Sequence, residues 1–206
     1  MTTGGEGGMV TTNDEVLWRA MWSFKDHGKS YAAVYEREHA PGFRWLHESF
    51  GTNWRMLEMQ AVIGRIQLQR MAGWTATRTR YAEQIWAACR SHSALHVPEV
   101  PANVQHAHYK CYAYVRPEQL AAGWNRDRIV AAINALGVPC YQGSCSEVYL
   151  EKAFDGTGWR PAAPLPTAHA LGTTSVMFLV HPTLTQAEVD TTCTAIAQVM
   201  QQATAA

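Results

Sequence analysis

Several places in this 206-residue chain hold side chains able to do chemistry. Asn53 and Arg55 stand just ahead of a long helical run. Read alone, they are a short amide able to cap exposed helix N–H groups and a guanidinium able to pair with a surface carboxylate. The stretch HAHYKCYAYV carries His106, His108 and Tyr109. Two imidazoles in a strand could start a weak metal site or mark an edge strand, and no third ligand at suitable spacing supports metal. Cys145 could serve as a thiol nucleophile, but nothing around it marks an activated cysteine. The charges Lys25, Asp26, His27 and Lys29 could form an acid/base pair, although such a cluster is more often a solvated turn.

The element that must position these groups is the run from Gly51 to Arg90. Met59, Val62, Ile63 and Ile66, then Tyr81, Ile85 and Ala88, recur at three-and-four spacing, with Arg65, Gln67, Gln69, Arg78, Arg80 and Glu83 falling mostly between them. The pattern predicts an amphipathic helix capped by Thr52 or Asn53. At about 1.5 Å per residue it would reach roughly 57 to 60 Å, so a bend or break is expected near Gly73.

The order Gly51-Thr52-Asn53-Trp54-Arg55-Met56-Leu57-Glu58-Met59-Gln60-Ala61-Val62-Ile63-Gly64, then Gln67-Leu68, resembles a signature of the DegT/DnrJ/EryC1/StrS sugar aminotransferases. Ser175-Val176-Met177-Phe178-Leu179-Val180-His181-Pro182-Thr183-Leu184-Thr185 resembles that family's closing motif, so the likeness runs from end to end. The resemblance implies a fold type I α/β enzyme that uses pyridoxal 5'-phosphate to aminate a nucleotide-linked keto sugar, with glutamate as donor. It further implies a homodimer in which the turn before the spine reaches the cofactor phosphate of the other subunit. Carried over by position, that makes Asn53 and Arg55 cofactor-binding, a role that suits an amide and a guanidinium at the mouth of a helix. His106 and Tyr109 fall where relatives carry a pair near the substrate. The chain departs from the family at Cys140-Tyr141-Gln142-Gly143-Ser144-Cys145-Ser146-Glu147, which leaves the sugar's identity open.

The N-terminal segment Thr2-Thr3-Gly4-Gly5-Glu6-Gly7-Gly8 reads as a flexible turn entering a short strand at Met9 to Thr12. By resemblance it follows the lysine that holds the cofactor as a Schiff base. That lysine is absent, so no catalytic residue is assigned and this chain alone is expected not to transaminate. The competing expectation is a non-catalytic product of a truncated or split gene that binds or assembles with a full-length relative. A small α/β binding module without cofactor is a further reading, discriminated by whether the glycine-rich end and Asn53 converge on one pocket.

Asn13 is a plausible cap for a helix running to about Phe24 with Val16, Leu17, Ala20 and Met21 on one face. Residues Lys25 to Phe50 mix charges with Tyr31, Tyr35, Phe43, Trp45 and Phe50 without a period. They read either as an ordered loop over a pocket or partner, or as a solvated loop anchored by its aromatics. Ala94 to Pro101 marks the expected domain crossing. Strands are predicted over His106 to Val115, Val138 to Tyr141 and Ser175 to Val180, and helices over Asn125 to Leu136 and Thr185 to Gln202. Thr185 and Glu188 are placed to form a capping box.

Lys plus Arg and Asp plus Glu are equal at 17, so no net field recruits nucleic acid or an acidic membrane. No run of eighteen apolar residues or signal-peptide layout is present, which gives a cytoplasmic expectation. The odd set of 5 cysteines, without a CxxC pair, reads as reduced and mostly buried. The expected architecture is the end of a large cofactor-binding domain over residues 1–73, and the rest of a connecting helix with a small α/β domain over 74–206. The exposed strand edge and apolar faces of Gly8 to Phe24 are expected to cause association or poor solubility.

Overall fold

The computed structural model describes residues 3–42 and 44–204. Met1, Thr2 and Phe43, which figure in the expectations above, lie outside them. The chain divides into two compact units, Thr2–Met71 and Ala72–Ala206, each described in turn.

In the first unit α1 spans Glu15–Lys25 and is capped by Asp14, whose side chain accepts from Leu17 N at 3.0 Å. The sequence pointed to Asn13 as the cap. Both types can cap, and the one whose oxygen reaches the third following N–H is Asp14. Residues 9–12, expected as a strand, have no strand partner among the described residues and run as irregular backbone. The aperiodic stretch after α1 contains a short helix, α2 (Tyr31–Tyr35), capped by Ser30. Its Tyr31 ring meets Trp18 at 4.9 Å and Trp22 at 5.3 Å, edge to face. Arg19 joins the pair by donating to Glu36 at 3.0 and 3.2 Å.

The spine helix α3 is Glu58–Arg90, an unbroken helix of 33 residues, roughly 50 Å at about 1.5 Å per residue. Two expectations are corrected here. Gly73 does not interrupt it, and Thr52 and Asn53 do not cap it. Residues 51–54 are instead drawn into pairing with 24–28: Thr52 N donates to Phe24 O at 2.7 Å, His27 N to Thr52 O at 3.0 Å and Trp54 N to Lys25 O at 3.0 Å. Backbone pairing satisfies these groups, so the helix begins later, where Gln60 Oε1 accepts from Leu57 N at 3.1 Å.

The second unit begins within α3. Its sheet has the order β1-β2-β4-β3, with β1 (Leu95–His96), β2 (Cys111–Val115), β3 (Cys140–Tyr141) and β4 (Ser175–Phe178) all antiparallel to their neighbours. The segment expected to cross between domains therefore supplies an edge strand inside this unit. Between the strands lie α4 (Arg126–Ala135) and α5 (Pro166–Thr174), and α6 (Gln186–Ala203) follows. The helix α5 had no counterpart in the sequence reading. Asn125 caps α4, and Thr185 with Glu188 forms a reciprocal capping box on α6.

Alternate residues of β2, Cys111, Ala113 and Val115, are buried with Tyr81, Ile85 and Trp86 of α3, Ile129 and Ile133 of α4, Val176 and Phe178 of β4, and Ile196 and Met200 of α6. Two partly buried hydrogen bonds fix α3 against this core, Trp86 Nε1 to Tyr112 O at 2.9 Å and Tyr81 OH to Leu184 O at 2.8 Å. The strand expected from His106 starts only at Cys111, because His108 takes a φ of 45°, incompatible with an extended ladder.

Candidate functional site

The first unit holds a cleft of about 1100 Å³. The glycine-rich segment from Glu6 to Val10 forms one wall, Trp18, Met21, Trp22 and Phe24 of α1 another, and Trp54, Arg55, Met56 and Gln60 close it. Two glutamines of α3 hold the glycine-rich segment in place. Gln60 Nε2 donates to Glu6 O at 2.7 Å, while Gln67 Nε2 donates to Thr3 O at 2.6 Å and its Oε1 accepts from Thr3 N at 3.3 Å. These amides sit at motif positions, and the sequence reading gave them no role. Their register on one helix face, seven apart, is the signal that could have found them.

Arg55 reaches the cleft because the turn before α3 is clasped against the end of α1. Gly28 and Gly51 make the clasp: a Cβ on Gly51 would fall 2.4 Å from Gly28 N, and one on Gly28 would fall 1.8 Å from Ser49 O. Gly28 also takes a φ of 86°, so no other residue type fits there without strain. The clasp sets Arg55 Nη1 against Asp26 Oδ1 in an ion pair. Lys29 Nζ lies 3.5 Å from the same oxygen and Lys25 Nζ lies 3.9 Å from Oδ2.

Desolvation is the largest effect on Asp26 and works to raise its pKa, but Lys29, Arg55 and Lys25 together hold the carboxyl below its usual range. It is a charged carboxylate facing three cations, so the cluster is net positive, and it remains so with Glu6 of the cleft wall counted. The charge group that reads as a solvated turn in sequence is thus the electrostatic support of Arg55.

Of the residues singled out in sequence, Arg55 lines the cleft with the glycine-rich segment. Asn53 does not: its backbone bridges to Asp26, and its Oδ1 makes a long contact with Arg55 N at 3.4 Å. An oxyanion in the cleft fits the donors present, a guanidinium, the Lys25 ammonium and glycine backbone, within aromatic walls that suit a flat ring.

His106 and Tyr109 belong to the second unit and are both exposed. His106 Nδ1 accepts from His108 N at 2.9 Å, and its ring lies 4.3 Å from that of His108. Among the described residues no group of three or more His, Cys, Asp or Glu side chains could hold a metal ion. A smaller concavity of about 490 Å³ gathers the residues where the chain departs from the family pattern, among them Gln142, Ser144, Cys145, Ser146 and Glu147. Glu147 is held from both sides, accepting from Tyr149 OH at 2.6 Å and facing His169 Nδ1 at 3.1 Å; the Tyr149 bond is the main cause of its lowered pKa.

Among the cysteines, Cys89, Cys111 and Cys140 are buried, Cys193 is half-buried and Cys145 is exposed. Burial pushes the Cys89 and Cys140 thiols up to about 12. No helix among the described residues is long and apolar enough to cross a membrane.

The chain is similar to known proteins over most of its length. The aminotransferase from Psychrobacter cryohalolentis, known from an X-ray structure, superposes with a TM-score of 0.91 at 63% identity, covering 97% of this chain and 52% of its own. GDP-perosamine synthase of Caulobacter vibrioides is 29% identical over 205 residues, 96% of this chain and 49% of its own length. UDP-N-acetyl-3-dehydro-alpha-D-glucosamine 3-aminotransferase of Acidithiobacillus ferrooxidans is 31% identical over 138 residues, 65% of this chain and 31% of its own. The chain thus spans about half the length of the first two relatives and less of the third. The sequence model of the DegT/DnrJ/EryC1/StrS aminotransferase family matches residues 1–197, and the chain belongs to that family.

Proposed function

We propose that this chain provides the cofactor-phosphate side and the small domain of a pyridoxal 5'-phosphate-dependent aminotransferase. Its substrate is a nucleotide-linked keto sugar and its amino donor is glutamate. The observation that carries this reading is the convergence of Arg55, Lys25 and the glycine-rich segment on one aromatic-walled cleft with net positive charge. Pyridoxal phosphate, when bound, supplies the electron sink for moving an amino group.

In this reading Arg55 and Lys25 bind the phosphate, with Asp26 holding Arg55 in orientation. Asn53 acts through the backbone bridge that sets the turn, a positioning role rather than the direct contact expected from sequence. Trp22 and Trp54 enclose the ring and exclude water. None of the chain's own lysines is assigned to carry the cofactor covalently. The reading also includes a homodimer: Met59, Val62, Ile63 and Ile66 form an exposed apolar stripe on α3 that a second copy would cover, and sedimentation should show concentration-dependent association.

The test is a titration of the 206-residue protein with pyridoxal phosphate, read by quenching of the Trp18, Trp22 and Trp54 fluorescence. Saturable quenching is expected, competed by inorganic phosphate and weakened roughly tenfold or more in Arg55→Gln and in Lys25→Gln. Absence of saturable quenching, or native affinity retained in both variants, overturns the reading.

A further inference from the structure

Arg78 lies on α3 in the second unit and is only 4% exposed. Its Nε has no hydrogen-bond partner. Burial is the main influence on its pKa, lowering it, and the one opposing influence is the phenol of Tyr109; no carboxylate acts on it. A guanidinium nonetheless stays protonated at any ordinary pH. The fold therefore buries most of this side chain, its Nε entirely, with no carboxylate beside it to compensate the charge, an arrangement that costs stability.

The other buried side-chain atom left without a partner, among the described residues, is Nδ1 of His108, the residue before Tyr109. His108 is 3% exposed, packs edge-on against Trp86 at 5.0 Å and takes a φ of 45°, in the left-handed region. Desolvation, with His106 beside it, lowers its pKa, so the ring is neutral and can donate one hydrogen bond. An orphaned guanidinium nitrogen and an orphaned imidazole nitrogen thus occur in one unit, with exposed Tyr109 next to His108 in the chain and acting on the charge of Arg78. Unpaired polar atoms persist where a ligand compensates them.

We propose that Arg78 anchors an oxyanion subsite, with the neutral His108 ring as a second donor and Tyr109 at the rim, which takes a carboxylate or phosphate group borne by a substrate. That the anion belongs to a substrate rests on the aminotransferase reading. That Arg78 receives an anion rests on its own surroundings.

The experiment measures the melting temperature of the full chain with L-glutamate, with uridine diphosphate, and with sodium chloride at matched ionic strength, for the native protein, Arg78→Met and Arg78→Lys. Glutamate represents the carboxylate source and uridine diphosphate the phosphate source. One of the two should raise the native melting temperature saturably above the salt control. Arg78→Met should abolish that rise and should itself melt higher than the native protein without ligand, because it keeps the packing and removes an uncompensated charge. Arg78→Lys should bind roughly tenfold or more weakly.

No rise with either compound overturns the proposal, as does a rise that survives in Arg78→Met. A lower melting temperature for ligand-free Arg78→Met also overturns it, because that marks a packing role. Pyridoxal phosphate quenching, measured in parallel, should be unchanged in Arg78→Met. Loss of quenching in the native protein beside an intact anion response would remove the cofactor reading and leave the subsite standing.

Discussion

The two units of this chain are held together by different physics. In Ala72–Ala206, residues from α3, α4, α6 and the sheet close a continuous apolar core, with Phe178, Ile85, Ile129, Ile196 and Met200 essentially inaccessible. In Thr2–Met71 the buried apolar residues among those described are Ala33 and Leu46, while Met59, Val62, Ile63 and Ile66 stand in solvent. Backbone pairing across the Gly28–Gly51 clasp, the Asp26 ion cluster, the Gln60 and Gln67 amides and the edge-on rings of Trp18, Trp22 and Tyr31 do the holding there. The difference teaches that directional polar bonds suffice to fix the turn that carries Arg55, whereas resistance to unfolding comes from buried area.

The comparison breaks most visibly under core truncation. Phe178→Ala should cost about 3–5 kcal/mol in urea unfolding, since the cavity lies where β4 meets β2 and β3. Val16→Ala, an apolar truncation at an exposed position of the other unit, should stay within about 0.5 kcal/mol. Comparable losses from the two would erase the distinction between the units.

Acid sharpens it further. The folded Asp26 carboxyl lies below its ordinary value, so near the unfolded pKa of about 4 the native state binds fewer protons than the unfolded one. The stabilisation is therefore present above about pH 4 and lost as pH falls through the folded value. Hydrogen exchange at the amides of His27, Thr52 and Trp54 should quicken over that window while those of β2 and β4 stay protected. Asp26→Asn should cost the first unit about 1–3 kcal/mol at neutral pH and remove the acid dependence. Uniform acceleration in both units would contradict this.

The smallest effect concerns the thiols. Cys145 Sγ donates to Glu151 Oε1 at 3.4 Å, the main cause of a raised pKa at an exposed site. An aromatic disulfide reagent should label Cys145 first in the native protein, slowly at neutral pH and faster in Glu151→Gln. Cys89, Cys111 and Cys140 should react only on unfolding, and early labelling of any of them would show that the core of the second unit opens more readily than its packing implies.

Much of the fold was legible because local rules and tertiary structure agree. The periodicity of α4 and α6, the Asn125 cap, the Thr185–Glu188 box and the alternation of β2 depend on neighbours three or four residues away, or on alternate faces of one strand. The site was legible in part. Arg55 stands in the cleft, but Asn53 serves the backbone, and the cluster of Lys25, Asp26 and Lys29, which reads as a solvated turn, turned out to support Arg55. Gln60, Gln67 and Arg78 were seen only as helix residues, because their partners, or the lack of them, involve segments far off in the chain or none at all.

By itself the sequence determined which family signature the spine carries, where its last helices begin, and that the chain is electrically balanced. Only the tertiary structure decided that the spine starts at Glu58 and passes Gly73 unbroken, that its first apolar stripe is exposed while Tyr81, Ile85 and Trp86 of the same helix are buried, and that a buried arginine, Arg78, keeps its Nε without a partner. The reason is physical. Caps and periods are set by groups a turn apart, whereas a donor's partner and a side chain's burial depend on which distant segments arrive beside it.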